Sequence, residues 1–83
     1  MSDENTKVAQ DVVATIHARM GVPVERITPQ ADIVNDLGAD SLDFIELIMD
    51  LEEKFDIEIK ETEFEDIHTV EDVTRFIEKR LDV

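Results

Sequence analysis

The 83-residue sequence contains no cysteine, so neither disulfide bonds nor thiolate metal sites can form within it. Glycine and proline number two each, tryptophan and tyrosine are absent, and four phenylalanines are the only large aromatic residues. So few turn-forming residues favour long regular elements over a turn-rich β architecture. No hydrophobic run is long enough to span a membrane. Because the chain has no cysteine, any thiol chemistry must come from a group attached to it.

Basic residues are also scarce, since eight lysines and arginines stand against 22 aspartates and glutamates, for a formal net charge of −14. Such a surface repels phosphate backbones and anionic lipids, so we expect neither nucleic acid binding nor membrane insertion. Proteins with basic patches would instead be attracted and steered towards it. The start of the chain, Met1–Asn5, is acidic and polar, unlike a signal peptide. We expect a cytoplasmic monomer.

Apolar residues recur at helical spacing in the first 20 residues. They are Val8, Val12, Val13, Ile16 and Met20. Asn5 or Thr6 could cap the start of this helix, and Gly21 suits its end. Residues 22–39 then form a long connection with Pro29 in its middle, and we expect its apolar residues to pack across the helices.

The most informative segment is a second predicted helix, which runs from about Ser41 to Phe55. One side of it carries an apolar stripe that we expect to face the core: Phe44, Leu47, Ile48, Leu51 and Phe55. A different face, roughly 130° away, carries Leu42, Ile45 and Met49 among acidic residues. Apolar residues mixed with acids on an outward face indicate a docking surface.

The rest of the chain predicts a short helix within Glu61–Ile67 and a final long helix. Thr69 and Asp72 resemble a capping box at the start of that last helix. Its apolar stripe is Val70, Val73, Phe76, Ile77 and Leu81. Ile57 and Ile59 alternate with acids, but no second strand is available to pair with them. The sequence therefore predicts an all-α fold, a small four-helix bundle of three longer helices plus one short helix with a long first loop, in a single domain over residues 1–83.

A serine stands at the mouth of the second helix, in the segment Asp36–Asp43 with the sequence DLGADSLD. The first N–H groups of a helix lack intrahelical partners and the helix dipole is positive there, so a phosphate ester on Ser41 would be favoured. Gly38 permits an unusual backbone conformation or the close approach of a partner. Taken as a bare serine before a helix, Ser41 would more simply be a helix cap, with Asp40 as a competing cap.

The wider context of this serine is more specific. The segment Asp36–Asp43, followed by Glu46–Met49 and Leu51–Phe55, closely resembles the acyl carrier proteins of type II fatty acid synthesis. Helix order, the long first loop, acidity and length agree as well, so the resemblance covers nearly the whole chain. It implies a covalent 4′-phosphopantetheine on Ser41, linked through a phosphodiester, whose terminal thiol carries acyl groups as thioesters. It also implies that the core of the bundle can shelter the acyl chain.

The same resemblance implies a non-catalytic carrier with several partners. These would be a phosphopantetheinyl transferase and then fatty-acid synthase-type enzymes and acyltransferases, which dock basic patches onto the second helix. The residues that match this docking surface are Asp40, Leu42, Asp43, Ile45, Glu46, Met49, Glu53 and Asp56. No lysine or arginine occurs between Arg26 and Lys54, whereas eight acids do, which favours docking over a merely solvated helix face.

Three positions depart from the common pattern of the family. Phe44 is larger than expected and either fills the core or narrows the acyl cavity. Asp50 stands in place of a small residue and adds charge to the docking helix, and Lys60 stands where proline is frequent. These departures leave the cofactor assignment intact and bear on whether the carrier serves general fatty acid synthesis or a dedicated pathway.

Other functions remain open from the sequence. A carrier for polyketides, special lipids, peptidyl or D-alanyl groups would use the same modified serine. A cofactor-free acidic interaction module and a small calcium sensor are rivals of other classes, although the acids lack EF-hand spacing. His17 and His68 lie in separate elements without thiol companions, so we expect no metal site. A Ser-His-Asp triad with Ser41 lacks an oxyanion-hole motif.

Overall fold

A computed structural model of the protein describes residues 7–81, so the helix caps predicted at Asn5 or Thr6 lie outside the described residues. The three α-helices are α1 (Lys7–Met20), α2 (Ser41–Phe55) and α3 (Val70–Leu81). A six-residue 3₁₀ helix, Glu61–Asp66, connects α2 to α3, and a 3₁₀ turn, Val24–Arg26, lies in the first loop. Residues 7–81 contain no strand, and the predicted bundle of three longer helices and one short helix is confirmed. The 3₁₀ turn in the loop was not predicted.

Two residues with left-handed backbone conformations end the first two helices. Gly21 has a φ of 71°, and its N–H donates to the carbonyl oxygen of His17 at 2.9 Å. Asp56 has a φ of 54°, and its N–H donates to the carbonyl oxygen of Glu52. Residues in this conformation let the chain turn back on the helix and satisfy its last carbonyl groups. The end of α1 predicted at Gly21 is thereby confirmed.

One hydrophobic core joins the helices. Its fully buried members from the helices are Val12 and Ile16 of α1, Leu47, Ile48 and Leu51 of α2, and Val73 and Ile77 of α3. The predicted core stripe of α2 is confirmed, with Phe44 and Phe55 half-buried at its edges. Leu81, the last member of the apolar pattern that predicted α3, is the final residue of the helix and is exposed. Packing of these faces, rather than helix propensity, supplies most of the stability of a bundle this small.

The first loop packs across the helices, as expected. Its buried residues are Ile27, Ala31, Ile33, Leu37 and Ala39. Asp32 and Thr69 form an isolated antiparallel bridge, in which the Ile33 N–H donates to the carbonyl oxygen of His68 at 2.9 Å. The Val70 N–H donates in turn to the carbonyl oxygen of Ala31 at 3.0 Å. These bonds fix the loop against the start of α3.

A capping box begins α3, as the sequence predicted. The Asp72 N–H donates to the Thr69 hydroxyl at 3.1 Å, and the Thr69 N–H donates to the Asp72 carboxylate at 3.1 Å. The His68 N–H donates to the same carboxylate at 3.0 Å. Partial burial alone would raise the pKa of Asp72, but the hydrogen bonds from Thr69 and His68 outweigh it and hold that pKa below its ordinary value.

The 3₁₀ helix is held to the rest of the bundle by side chains. The Phe64 ring meets the Phe44 ring edge to face, with the two ring centroids 5.6 Å apart. The Arg80 guanidinium donates to the Glu63 carboxylate and to the carbonyl oxygen of Glu58. Of the two roles considered for Phe44, core filling is therefore the one that its contacts describe.

Candidate functional site

The N-terminal cap of α2 is Asp40, whose backbone is extended, with a φ of −90° and a ψ of −176°. Its carboxylate accepts the Asp43 N–H at 2.8 Å, and its own N–H donates to the Asp43 carboxylate at 3.3 Å. Its carbonyl oxygen accepts the first helical bond, from the Phe44 N–H, at 2.9 Å. The interpretation of Ser41 as the helix cap is therefore wrong, because Asp40 and Asp43 form the capping box between them.

Ser41 is the first residue inside α2, and its side chain is exposed. Its hydroxyl makes no hydrogen bond with any residue between 7 and 81. The backbone N–H groups of Ser41 and Leu42 likewise have no acceptor within that range, since the cap takes only the Asp43 N–H. A hydroxyl free of competing bonds thus stands beside two free N–H donors at the positive end of a helix, which suits a phosphate ester.

The turn that leads into Ser41 is tightly bonded. The Asp32 carboxylate accepts the Val34 N–H at 3.0 Å and the Asn35 N–H at 2.8 Å, while the Asp36 carboxylate accepts the Asp32 N–H at 2.7 Å. Gly38 has a φ of 81°, and a Cβ placed there would meet nothing within 4 Å. Backbone conformation rather than lack of space therefore requires this glycine. The loop acids Asp32 and Asp36 serve the turn itself.

The outward face of α2 carries the residues that the sequence predicted to be exposed. The exposed fractions are 63% for Leu42, 43% for Ile45 and 59% for Met49. Glu53 and Asp56 are exposed towards the end of the helix. Helical spacing places Leu42, Met49 and Glu53 along one line with Glu46 at its edge, and Asp56 follows just after the end of α2. We call Leu42, Met49, Glu53 and Asp56 the outer stripe. Large apolar side chains kept in water beside carboxylates make this line a candidate for contact with other proteins.

An arginine that the sequence analysis missed lies against the other side of α2. Arg19, in the last turn of α1, donates from Nε and Nη2 to the two carboxylate oxygens of Asp50, at 2.7 and 2.9 Å. Its Nη1 donates to the Glu46 carboxylate at 3.4 Å. The hydrogen bond from Arg19 holds the pKa of Asp50 below its ordinary value despite some desolvation.

This ion pair places a basic side chain beside a part of α2 that contains none. The stretch between Arg26 and Lys54 is base-free only along the chain, because the fold brings Arg19 to it from α1. The charge that Asp50 adds to α2 is matched by this arginine. The residues of the pair are 31 positions apart, so no local spacing in the sequence could have indicated it.

A groove of about 500 Å³ opens on another part of the molecule. It is lined mainly by apolar side chains from α1, the first loop and the start of α3, among them Val13, Val24 and Val70. None of the described residues that line it belongs to α2. It is therefore separate from the helix that carries Ser41.

No group of three or more histidine, cysteine or acidic side chains among the described residues is arranged to hold a metal ion. None of the helices built from them is long and apolar enough to cross a membrane. His17 contacts the carbonyl oxygen of Val22 through Nδ1 at 2.7 Å, and so serves the end of α1.

Comparison with known proteins gives a consistent result. The family model for the phosphopantetheine attachment site matches residues 10–77. The acyl carrier protein of Helicobacter pylori strain J99 is 51% identical over 69 residues, which are 83% of this chain and 88% of that protein. The acyl carrier protein of Syntrophobacter fumaroxidans is 50% identical over 68 residues, with coverages of 82% and 84%. A solution structure from Anaplasma phagocytophilum, assigned as an acyl carrier protein, aligns with a TM-score of 0.78 and 30% identity over 86% of this chain and 84% of that one.

Proposed function

Because this chain belongs to the acyl carrier proteins, whose prosthetic group is a covalent 4′-phosphopantetheine, we propose that Ser41 is the residue that bears the group. The observation that carries the proposal is the exposed Ser41 hydroxyl, which is free of hydrogen bonds within residues 7–81 and stands at the start of α2. The group would supply the thiol that the cysteine-free chain lacks, and acyl intermediates would be bound to it as thioesters.

The residues around Ser41 fit the phosphodiester of this group. The free N–H groups of Ser41 and Leu42 and the helix dipole favour its negative charge, whereas the carboxylates of Asp40 and Asp43 oppose it. Each of those carboxylates already accepts an N–H group from the capping box, which directs part of its charge inward. The chain would thus bind and orient the arm without catalysing any step itself.

We further propose that partner enzymes dock on the outer stripe and the acids near Ser41. The partners would be a phosphopantetheinyl transferase, which loads the arm, and fatty-acid synthase-type enzymes and acyltransferases, which use it. Support comes from the exposed Leu42 and Met49, which would supply apolar contact, and from Asp43 and Glu53, which would attract basic side chains. We also propose that the chain is a single-domain monomer that acts in the cytoplasm, and the net charge of −14, which repels other copies of the chain, supports the monomer.

The assignment of Ser41 can be tested by intact-mass measurement. The protein is incubated with coenzyme A and a phosphopantetheinyl transferase that is known to load another carrier. We expect a mass increase of one phosphopantetheine, which Ser41→Ala abolishes. The chain has only one other serine, so Ser2→Ala is the matched control and should retain the increase. No increase in the wild-type protein, or an increase that persists in Ser41→Ala, would contradict the assignment.

The docking surface can be tested by reversing one charge on it. Glu53→Lys should lower the kcat/KM of the transferase several-fold at low salt, because the new lysine repels the basic side chains of the transferase. Glu25→Lys changes the net charge equally but lies in the first loop, and serves as the control. The gap between the two variants should narrow as salt screens the exposed charges. Equal rates for both variants at low salt would place the docking surface elsewhere.

A further inference from the structure

Four acids in α2 and just after it have two kinds of surroundings. Asp50 and Glu46 face α1 and bind the Arg19 guanidinium, which reaches Asp50 with two N–H groups and Glu46 with a third. Glu53 and Asp56 lie on the outer stripe and are exposed. The side chains of Arg19 and Asp50 are only about one-third exposed, so their pairing is partly shielded from water.

We propose that Arg19 is a specificity-determining residue, which occupies Glu46 and Asp50 on the α1 side of α2 as a partner's arginine would and confines docking to the outer stripe and the acids near Ser41. This inference rests on the docking function proposed above. The two N–H groups of Arg19 that meet Asp50 form the geometry in which guanidinium and carboxylate pair best. A basic side chain from a partner would have to displace this guanidinium, which is tethered beside its acids by α1 and therefore competes at a high effective concentration.

The proposal defines the kind of partner that fits. A basic patch that follows the outer stripe from Leu42 to Asp56 meets exposed carboxylates and apolar side chains, while the Arg19 guanidinium lies to one side of it, against Asp50. A basic patch that extends sideways towards α1 meets the Arg19 charge instead, and like charges brought together at an interface cost affinity. Arg19 thus selects for enzymes whose basic side chains lie in a single row along α2.

The test removes the Arg19 charge and compares it with an equal change elsewhere. Arg75 of α3 pairs with Glu71 at 3.6 Å, so Arg75→Gln is the matched control for Arg19→Gln. The kcat/KM of a phosphopantetheinyl transferase is measured for both variants at low and high salt. Arg19→Gln should raise it several-fold above Arg75→Gln at low salt, because two more acids become available, and the gain should shrink at high salt. Arg19→Lys, which keeps the charge but cannot reproduce the two-N–H guanidinium contact with Asp50, should lie between the wild type and Arg19→Gln.

A double variant separates docking from a general change in charge. In the Arg19→Gln background, Asp50→Asn should remove most of the gain, because Asp50 is the acid that Arg19 binds with two N–H groups. A wild-type protein that is loaded normally while Arg19→Gln behaves like Arg75→Gln would overturn this inference and leave the carrier function standing. A wild-type protein that is not loaded at all would overturn the carrier function itself. Melting temperatures show whether each variant is folded under the assay conditions.

Discussion

The two helices that begin with a capping box differ in what surrounds their first turns. At the start of α3, the first loop closes the turn, because the Val70 N–H binds the carbonyl oxygen of Ala31 and the Glu71 N–H binds that of Pro29. At the start of α2, no residue of the described chain takes the N–H groups of Ser41 and Leu42. Both boxes use an aspartate at the third helical position, Asp72 in one and Asp43 in the other.

This difference teaches which features mark a helix start as a reactive site. A capping box alone does not, since α3 has one and its donors are all used inside the fold. The start of α2 differs by leaving donors and a hydroxyl open to solvent next to exposed acids. Unused hydrogen-bonding groups at an exposed helix start are affordable because water satisfies them, and they remain available to a ligand.

The largest expected effect on stability comes from weakening the packing of the first loop against the start of α3. The Ile33 side chain is fully buried, and the Ile33 N–H donates to the carbonyl oxygen of His68. Loss of the buried side-chain atoms in Ile33→Ala should lower the free energy of unfolding by about 2–5 kcal/mol. Its neighbour Val34 is exposed, and Val34→Ala should change it by less than about 0.5 kcal/mol. Urea unfolding followed by circular dichroism measures both. Similar losses in the two variants would mean that the loop is not part of the core.

The next effect comes from the carboxylate that caps α3. Asp72→Ala should cost about 1 kcal/mol at neutral pH, because the Thr69 and His68 N–H groups lose a charged acceptor. The folded-state pKa of Asp72 is below its ordinary value, so this stabilisation is present above the unfolded pKa of about 3.9 and is lost as pH falls through the lower folded pKa.

The difference in stability between Asp72→Ala and wild type should therefore close below about pH 4. Chemical unfolding at a series of pH values checks this for both proteins. A difference that stays constant down to the acid limit would show that Asp72 acts through packing rather than through its charge.

The start of α2 should respond differently when Asp40 loses its hydrogen-bond acceptor and when it loses only its charge. Asp40→Ala removes the acceptor of the Asp43 N–H and should cost about 1 kcal/mol of stability. Asp40→Asn keeps an acceptor and should cost only a few tenths of that. If Asp40 also attracts partners, both variants should lower the kcat/KM of the transferase similarly at low salt. If kcat/KM falls only in Asp40→Ala, the variant that loses stability, then Asp40 acts as a helix cap and does not attract partners.

The smallest effect on stability is expected at Ser41 itself. Its hydroxyl has no hydrogen bond within residues 7–81, and alanine has the higher helix propensity, so Ser41→Ala should change the free energy of unfolding by less than about 0.5 kcal/mol. The same variant should abolish loading. Measured together, these results would show that the residue is kept for chemistry rather than for folding, and a marked loss of stability would contradict that view.

Features set by near neighbours in the chain could be predicted from the sequence. The bounds of α2 at Ser41 and Phe55 followed from the spacing of apolar residues, and the capping box of Thr69 and Asp72 followed from residues three apart. The exposure of Leu42 and Met49 followed from their angle around the helix. Each of these depends on local geometry that repeats in every helix.

Features that depend on how the helices pack could not be predicted. The pair of Arg19 and Asp50 joins two helices, and the bond from Ile33 to His68 joins a loop to a distant helix start. The identity of the α2 cap was a different problem, because Asp40 and Ser41 are adjacent residues and both are good caps. The extended backbone of Asp40 and the hydrogen bond that its carboxylate accepts from the Asp43 N–H distinguish them.

The attachment of the 3₁₀ helix Glu61–Asp66 has a consequence for the way the molecule opens. The backbone bonds at its two ends, Glu63 to Lys60 and Ile67 to Phe64, are of the weaker three-residue kind, and the ring of Phe44 and the guanidinium of Arg80 hold it from outside. Hydrogen exchange should therefore show two tiers, in which the amides of this segment exchange through a local opening and those in the middle of α2 exchange only through global unfolding. We therefore expect the 3₁₀ helix Glu61–Asp66 to open locally while the rest of the bundle unfolds as one cooperative unit.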